Sequence, residues 1–377
     1  MQTISTQTRI GELESIRGLA ALLVLFHHIP KWNPILDSKI INNGYVMVDL
    51  FFVLSGFVIF NAYSNKINNK FEFLRFQFLR FGRLYPVHIT FLFIYVLIEI
   101  AKYYAQIKLG IQSHNTQPFR ENSLVALIQQ VFLLQAVGPT GNGDTFNTPA
   151  WSISVEFYTY FVFGVSILFL KSSRILVYSL LVVACLLLLA SKLTFGSEKL
   201  LRCFAGFFIG CLTARATEKI KFTFHSSIAL ATLVLIILFL QFKNPKELDI
   251  GIYFLTAVLI ASLVLSRQGI LKKILNLKAL NWLGTMSYSI YMTHFLILWT
   301  INQIIRVVLK RPDIPAANGF SAAQLSIFET LLACGVLIGT VIIASLFVFN
   351  FIEKPFREKS RQALKILETE RWRSEDF

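Results

Sequence analysis

The stretch GYVMVDLFFVLSGFVIF, residues 44–60, carries a single charged side chain, Asp49, among seventeen residues. At a helical rise of about 1.5 Å per residue, a run of this kind nearly covers the hydrocarbon core of a bilayer. Similar runs occur on both sides of it. Together they occupy 16–29, 45–63, 86–101, 124–137, 153–170, 175–191, 200–214, 226–242, 250–266, 283–305 and 326–350. Of the 377 residues 55% are hydrophobic, and 36 are Phe. Charged residues make up 15%, well below the roughly 25% of a soluble domain. The mean hydropathy is +0.61. The pattern predicts an all-α polytopic transmembrane helix bundle.

Ten of the eleven runs are expected to cross. The run 124–137 is short, holds Gln129 and Gln130, and leads into a Gly/Pro/Asn-rich loop, so it is read as dipping in or lying at the surface. With ten spans and the N-terminus inside, the C-terminus is also cytoplasmic. The inside segments then carry 23 of the 36 Lys and Arg and the outside segments 13, as the positive-inside rule favours. A crossing at 124–137 would move every later loop to the other side and weaken that bias. The first run lacks a small-residue cleavage site and is expected to remain as a span. We divide the chain into one transmembrane domain, 1–357, and a charged cytoplasmic tail, 358–377.

The net charge of +15 follows mostly from the loops between apolar runs, and part of it suits an anionic ligand. No nucleic-acid module is present in the sequence. Cys185, Cys203, Cys211 and Cys334 all lie inside apolar runs without a CxxC, which reads as small core hydrophobes and predicts no metal site.

Ionisable groups inside spans are costly, so each needs a partner or a role. In LESIRGLAALLVLFHHIP, residues 13–30, Arg17 and His28 are eleven residues apart. At about 100° per residue they fall on one helix face, about 16 Å apart along the axis, whereas His27 points roughly 80° away. They either line one cavity, or are a snorkelling Arg and an interfacial His. Asp49 needs a cation or donors from a neighbouring span, and a structural ion pair with an Arg or His is the simpler reading. Ser55-Gly56 permits close helix packing. In FLRFQFLRFGRLYP, residues 73–86, Arg75, Arg80 and Arg83 suit a phosphorylated cytosolic cosubstrate, or alternatively topology and lipid headgroups. In NTPAWSISVEFYTYF, Glu156 opens a span where it could fix a His tautomer or accept a proton, and Trp151 sits at an interfacial position. In SYSIYMTHF, Tyr288, Tyr291 and His294 form a polar stripe that by itself reads as interhelical glue.

Six pieces, RGLAALLVLFHH, VDLFFVLSGFVI, RFGRLYP, WSISVEFY, LGTMSYSIYMTH and FIEKPFR, occur in one order across residues 14 to about 357. In that series the chain resembles the acyltransferase-3 family of membrane-bound, acyl-CoA-dependent O-acyltransferases. The family's shared motif is an Arg, ten intervening residues and a His, which Arg17 and His28 match and His27 does not. The resemblance implies that His28 is catalytic and that arginines near the second motif, here Arg80 and Arg83, contact acyl-CoA. The family more often has adjacent arginines there, where this chain has Phe81-Gly82. The resemblance also leads us to expect no additional esterase-like domain of the kind some relatives carry.

The expected chemistry is transfer of an acyl group, acetyl by resemblance, from acyl-CoA as cosubstrate, with no permanently bound cofactor. The acceptor would be a hydroxyl of a sugar or surface polysaccharide precursor, free or lipid-linked, at a bacterial inner membrane. Such a reaction needs a base, an oxyanion donor and a grip on CoA. His28 is the expected base, with Glu156 or Asp49 orienting or charge-balancing the catalytic site. Arg17, Arg80 and Arg83 would hold CoA phosphates. Trp151, Ser152, Ser154, Tyr288 and His294 are the candidates for substrate contact, the serines and Tyr288 also for the oxyanion. The competing class is a polytopic transporter or flippase of an envelope glycan or small molecule. Such proteins often show inverted repeats, which this sequence lacks, and a pure transporter would consume no thioester.

Overall fold

The computed structural model describes residues 10–110, 117–170, 172–244, 249–315 and 321–375. It is built almost wholly of helices: α1 (Gly11–His28), α2 (Lys39–Asn42), α3 (Met47–Tyr63), α4 (Lys70–Leu109), α5 (Leu124–Val131), α6 (Trp151–Leu170), α7 (Arg174–Ala190) and α8 (Glu198–Lys219). There follow α9 (Ser226–Phe242), α10 (Ile250–Leu265), α11 (Ile270–Leu275), α12 (Lys278–Thr285), α13 (Ser287–Gln303), α14 (Ile327–Val348) and α15 (Lys354–Glu375). One short antiparallel hairpin, β1 (Asp313–Pro315) with β2 (Ser321–Ala323), departs from the all-α expectation; it pairs Ile314 with Ala322.

Among the described residues, five helical stretches are long and apolar enough to cross a membrane: Gly44–Tyr63, Lys70–Leu109, Thr148–Leu170, Glu198–Lys219 and Ile327–Leu367. α7, α9 and α10 are apolar but shorter. Together these make the chain an integral membrane protein. α5 has eight residues, about 12 Å, too short to cross. It folds back on its neighbours instead. The Gln130 carbonyl accepts from His88 Nε2 at 2.8 Å, and Ser154 Oγ donates to the Leu133 carbonyl at 2.5 Å.

Two expectations about boundaries change. The basic stretch before Pro86 is helical, so α4 runs unbroken for 40 residues, about 60 Å, through that proline. Pro86 has no N–H, so the Gly82 carbonyl one turn earlier loses its ladder donor, while the Pro86 carbonyl accepts from Thr90 Oγ1 at 2.8 Å. The run 283–305 is divided at Met286 into α12 and α13, and α13 and α14 each end in a π-helical turn, Ile304–Val308 and Phe349–Glu353. α15 begins four residues before the expected tail and stays packed, with Ser360 buried against Gly82.

Glycines set the closest crossings. A Cβ on Gly56 would collide with the Phe207 carbonyl, and one on Gly210 with the Val53 carbonyl. Gly206 and Gly210 form a GxxxG face that lets α3 and α8 touch backbone to backbone. α1 meets α12 in the same way, through Gly18 and Gly284, and Ser15 Oγ donates to the Leu275 carbonyl. These contacts fix α1 and α3, the two helices that carry the first polar motifs.

Candidate active site

A cavity of about 780 Å³ opens between α1, α3, α4, α6 and α13. Three arginines line it: Arg17 from α1, and Arg80 and Arg83 from α4. The α4 pair stands three positions apart, so both project from one helix face despite the intervening Phe81-Gly82. Arg80 Nη2 donates to Tyr63 Oη at 3.1 Å, and its guanidinium lies over the rings of Tyr63, Phe76 and Tyr160 at 5.3, 5.9 and 5.9 Å. Arg83 is half-buried in the field of Glu353, Glu14 and Glu156. Arg17 Nη1 stands 3.7 Å from Glu14.

Beside Arg80, Glu156 accepts from Ser55 Oγ at 2.6 Å and from the hydroxyl of Tyr160, the ring under that guanidinium. Ser152 Oγ lies within hydrogen-bonding distance of the Tyr291 hydroxyl, 3.1 Å, and of the Pro149 carbonyl, 3.2 Å. Where Ser152 donates to Tyr291, the phenolic O–H of Tyr291 is left to serve a ligand. Tyr288 also lines the cavity, but its hydroxyl donates to the Leu84 carbonyl at 2.6 Å.

His28 is not part of the cavity lining. It lies behind Tyr291, whose ring is 5.8 Å from that of His294, which in turn is 5.0 Å from His28. His28 Nδ1 is 2.8 Å from the Val24 carbonyl, and His294 Nδ1 is 2.7 Å from the Tyr291 carbonyl. A carbonyl only accepts, so both Nδ1 atoms carry the proton in the neutral rings. The His294 Nε2 lone pair then faces His28 Nδ1–H at 3.3 Å. This leaves the His28 Nε2 lone pair as the basic position. His27 is used differently: its Nδ1 meets the Ile41 carbonyl at 3.2 Å and its ring packs on Tyr45.

The structure therefore gathers Arg17, Arg80, Arg83, Ser152, Glu156 and Tyr288 around one cavity, with His28 and His294 paired beyond Tyr291. It places Asp49, Trp151 and Ser154 elsewhere. Asp49 is fully buried and takes a two-pronged bond from Arg202, at 3.1 and 2.7 Å, with Tyr253 Oη at 3.0 Å. Its oxygens are occupied by that ion pair, so it balances Arg202 rather than the cavity arginines. Trp151 lies under the cations Lys199 and Arg202. Ser154 pins the loop after α5, also accepting from Ala136 N. Sequence reasoning passed over Tyr160 and Glu353, and read Ser55 for helix packing alone. Tyr160 stands one helical turn after Glu156, a signal that was available. Glu353 is buried in the π turn, accepts from Ser289 Oγ at 2.7 Å, and needed the fold to bring it near Arg83.

Residues 10–349 match the sequence profile of the acyltransferase-3 family, described as an acyltransferase domain. The chain belongs to that family. Among relatives, it is 27% identical over 92% of its length to the Bacillus subtilis protein YrhL, provisionally named a peptidoglycan O-acetyltransferase. It is 24% identical over 93% of its length to the peptidoglycan O-acetyltransferase OatA of Listeria monocytogenes. The matches cover 55% and 56% of those two proteins, so this acyltransferase-family chain spans little more than half of their length. The acyltransferase MdmB of Streptomyces mycarofaciens is 31% identical over 41% of this chain and 38% of its own. No solved structure matches it.

Proposed function

We propose that the chain is an O-acyltransferase of a bacterial inner membrane, moving an acetyl group from acetyl-CoA to a carbohydrate hydroxyl. The observation that carries this reading is a three-arginine cavity that ends at Tyr291, behind which two imidazoles are paired. Arginines suit the CoA phosphates, and an imidazole with a fixed tautomer suits removal of a hydroxyl proton. The names of YrhL and OatA support a glycan acceptor and an acetyl donor group.

In this mechanism His28 Nε2 takes the proton of the acceptor hydroxyl as the oxygen attacks the thioester carbonyl. Its Nδ1–H, already directed at Val24 O and His294 Nε2, holds the ring and spreads the positive charge that develops. The Tyr291 O–H donates to the oxyanion of the tetrahedral intermediate, a task for which Tyr288 and Ser154 have no free proton. When the C–S bond breaks, His28 returns its proton to the CoA thiolate. Access of the acceptor to His28 requires Tyr291 to move aside or the acceptor to enter from the far end of α1. Glu156, bound by Ser55 and Tyr160, offsets the charge of the arginines.

The test is to supply the purified chain in sealed proteoliposomes with acetyl-labelled acetyl-CoA and a glycan acceptor. The reading predicts free CoA and labelled glycan in equal amounts. Glycan movement across the bilayer without CoA release would instead identify a transporter.

A further inference from the structure

A second cavity, of about 560 Å³, lies in the hairpin between α3 and α4, lined by Tyr63, Lys66, Glu72, Arg75 and Phe76 among others. It continues the first along the same two helices. On α3, Ile59 lines the first cavity and Tyr63, one turn further, lines the second. On α4, Arg80 lines the first cavity and Phe76, one turn earlier, the second. The partition is the contact of Arg80 with Tyr63, a hydrogen bond of 3.1 Å with the guanidinium over the ring. Arg80 Nε is buried and has no acceptor among the described residues. From Phe51 in the first cavity to Tyr63 is about 18 Å along α3, the scale of an extended pantetheine arm.

We propose that this second cavity binds a phosphate monoester, the 3′-phosphate of the CoA nucleotide, on Lys66 and Arg75. The proposal rests on the acetyl-CoA reading above and assigns the distal end of that donor. Tyr63, half-buried with Phe76 packed behind it, is the aromatic side chain that would meet the adenine. The diphosphate would sit at the partition, where Arg80 Nε supplies a donor. Arg75 is held by Glu72, with Nη1 3.4 Å from Oε2, so the incoming dianion competes with one carboxylate. Lys66 is exposed, so the preference it confers is modest. An anionic lipid headgroup presents the same phosphate chemistry, and the experiment separates the two sources.

Binding of acetyl-CoA and of 3′-dephospho-acetyl-CoA is measured by calorimetry on the purified chain in phosphatidylcholine nanodiscs, then with added phosphatidylglycerol. The expected result is that acetyl-CoA binds roughly five- to tenfold more tightly than its dephospho form. In the double variant Lys66→Met, Arg75→Gln that preference falls to within twofold, with the affinity for the dephospho form retained as evidence of folding. Lys66→Arg keeps the preference. Equal and tight binding of both ligands to the wild type overturns the subsite while leaving the acetyl-CoA reading in place. So does a preference that survives in the double variant, or a loss of the dephospho form's affinity together with it. An effect of the variant seen only with phosphatidylglycerol assigns the cavity to lipid and overturns the proposal. Failure of the wild type to bind either ligand removes the acetyl-CoA reading itself, and the subsite with it.

Discussion

Asp49 and His28 began as similar problems, an ionisable group in an apolar run, and the fold separates them. Asp49 is closed off by Arg202 and Tyr253, and removing one partner from such a buried pair typically costs about 3–5 kcal/mol. Asp49→Asn is therefore expected to lower the midpoint of thermal unfolding in detergent by several degrees, and Asp49→Leu with Arg202→Met to recover much of that loss. A stable Asp49→Asn protein would show the pair to be dispensable. The need for a cationic partner was legible in the sequence, but its identity was not, because the two stand 153 positions apart. His28 could be separated from His27 by spacing alone, since only one of them shares the face of Arg17. Its contact with His294 joins α1 to α13 and had no local signal. His294→Phe should lower turnover on the order of 10-fold or more while acetyl-CoA affinity is kept, and His294→Gln, which retains an acceptor near the Nε2 position, should lose less. Equal losses in the two variants would reduce His294 to a packing residue.

Helices as units were the most legible level, because apolar runs of this length admit little else in lipid. The ten runs expected to cross are all helical in the fold, although 283–305 is split in two. Boundaries were less legible. Basic residues before Pro86 read as a loop because charge and proline both argue against a span, yet tertiary contacts carry α4 through them. The π turn that buries Glu353 likewise depends on packing rather than on composition. Close helix contact at Ser55-Gly56 was legible, but its partner, the GxxxG face of α8, was not recognised. That contact makes a prediction by contrast. Gly56→Leu and Gly206→Leu should sharply lower the yield of folded protein, since the added side chains meet backbone or packed side chains of the facing helix. Gly335→Leu, where an added Cβ meets nothing within 4 Å, should leave it unchanged.

For the whole molecule, the proposed topology puts both termini and the α3–α4 hairpin in the cytoplasm and the His28 end of α1 outside. Single cysteines at Lys66 and at Lys31 should then react with impermeant thiol reagents from opposite sides of the membrane. Cysteines at Arg120 and Asp144, which flank α5, should react from the same side as Lys31, because eight helical residues cannot cross. Reaction of the two flanks from opposite sides would shift every later helix. On the proposed reading the donor would enter from the cytoplasm along the arginines, with its thioester held at Tyr291 in front of the His28–His294 pair. The most direct measurement is acetyl transfer by His28→Ala, with acetyl-CoA binding measured on the same preparation. Loss of turnover by about 10²-fold or more, with binding unchanged, is the predicted result. Turnover within a few-fold of wild type would contradict the account, because no other base has been placed at the thioester.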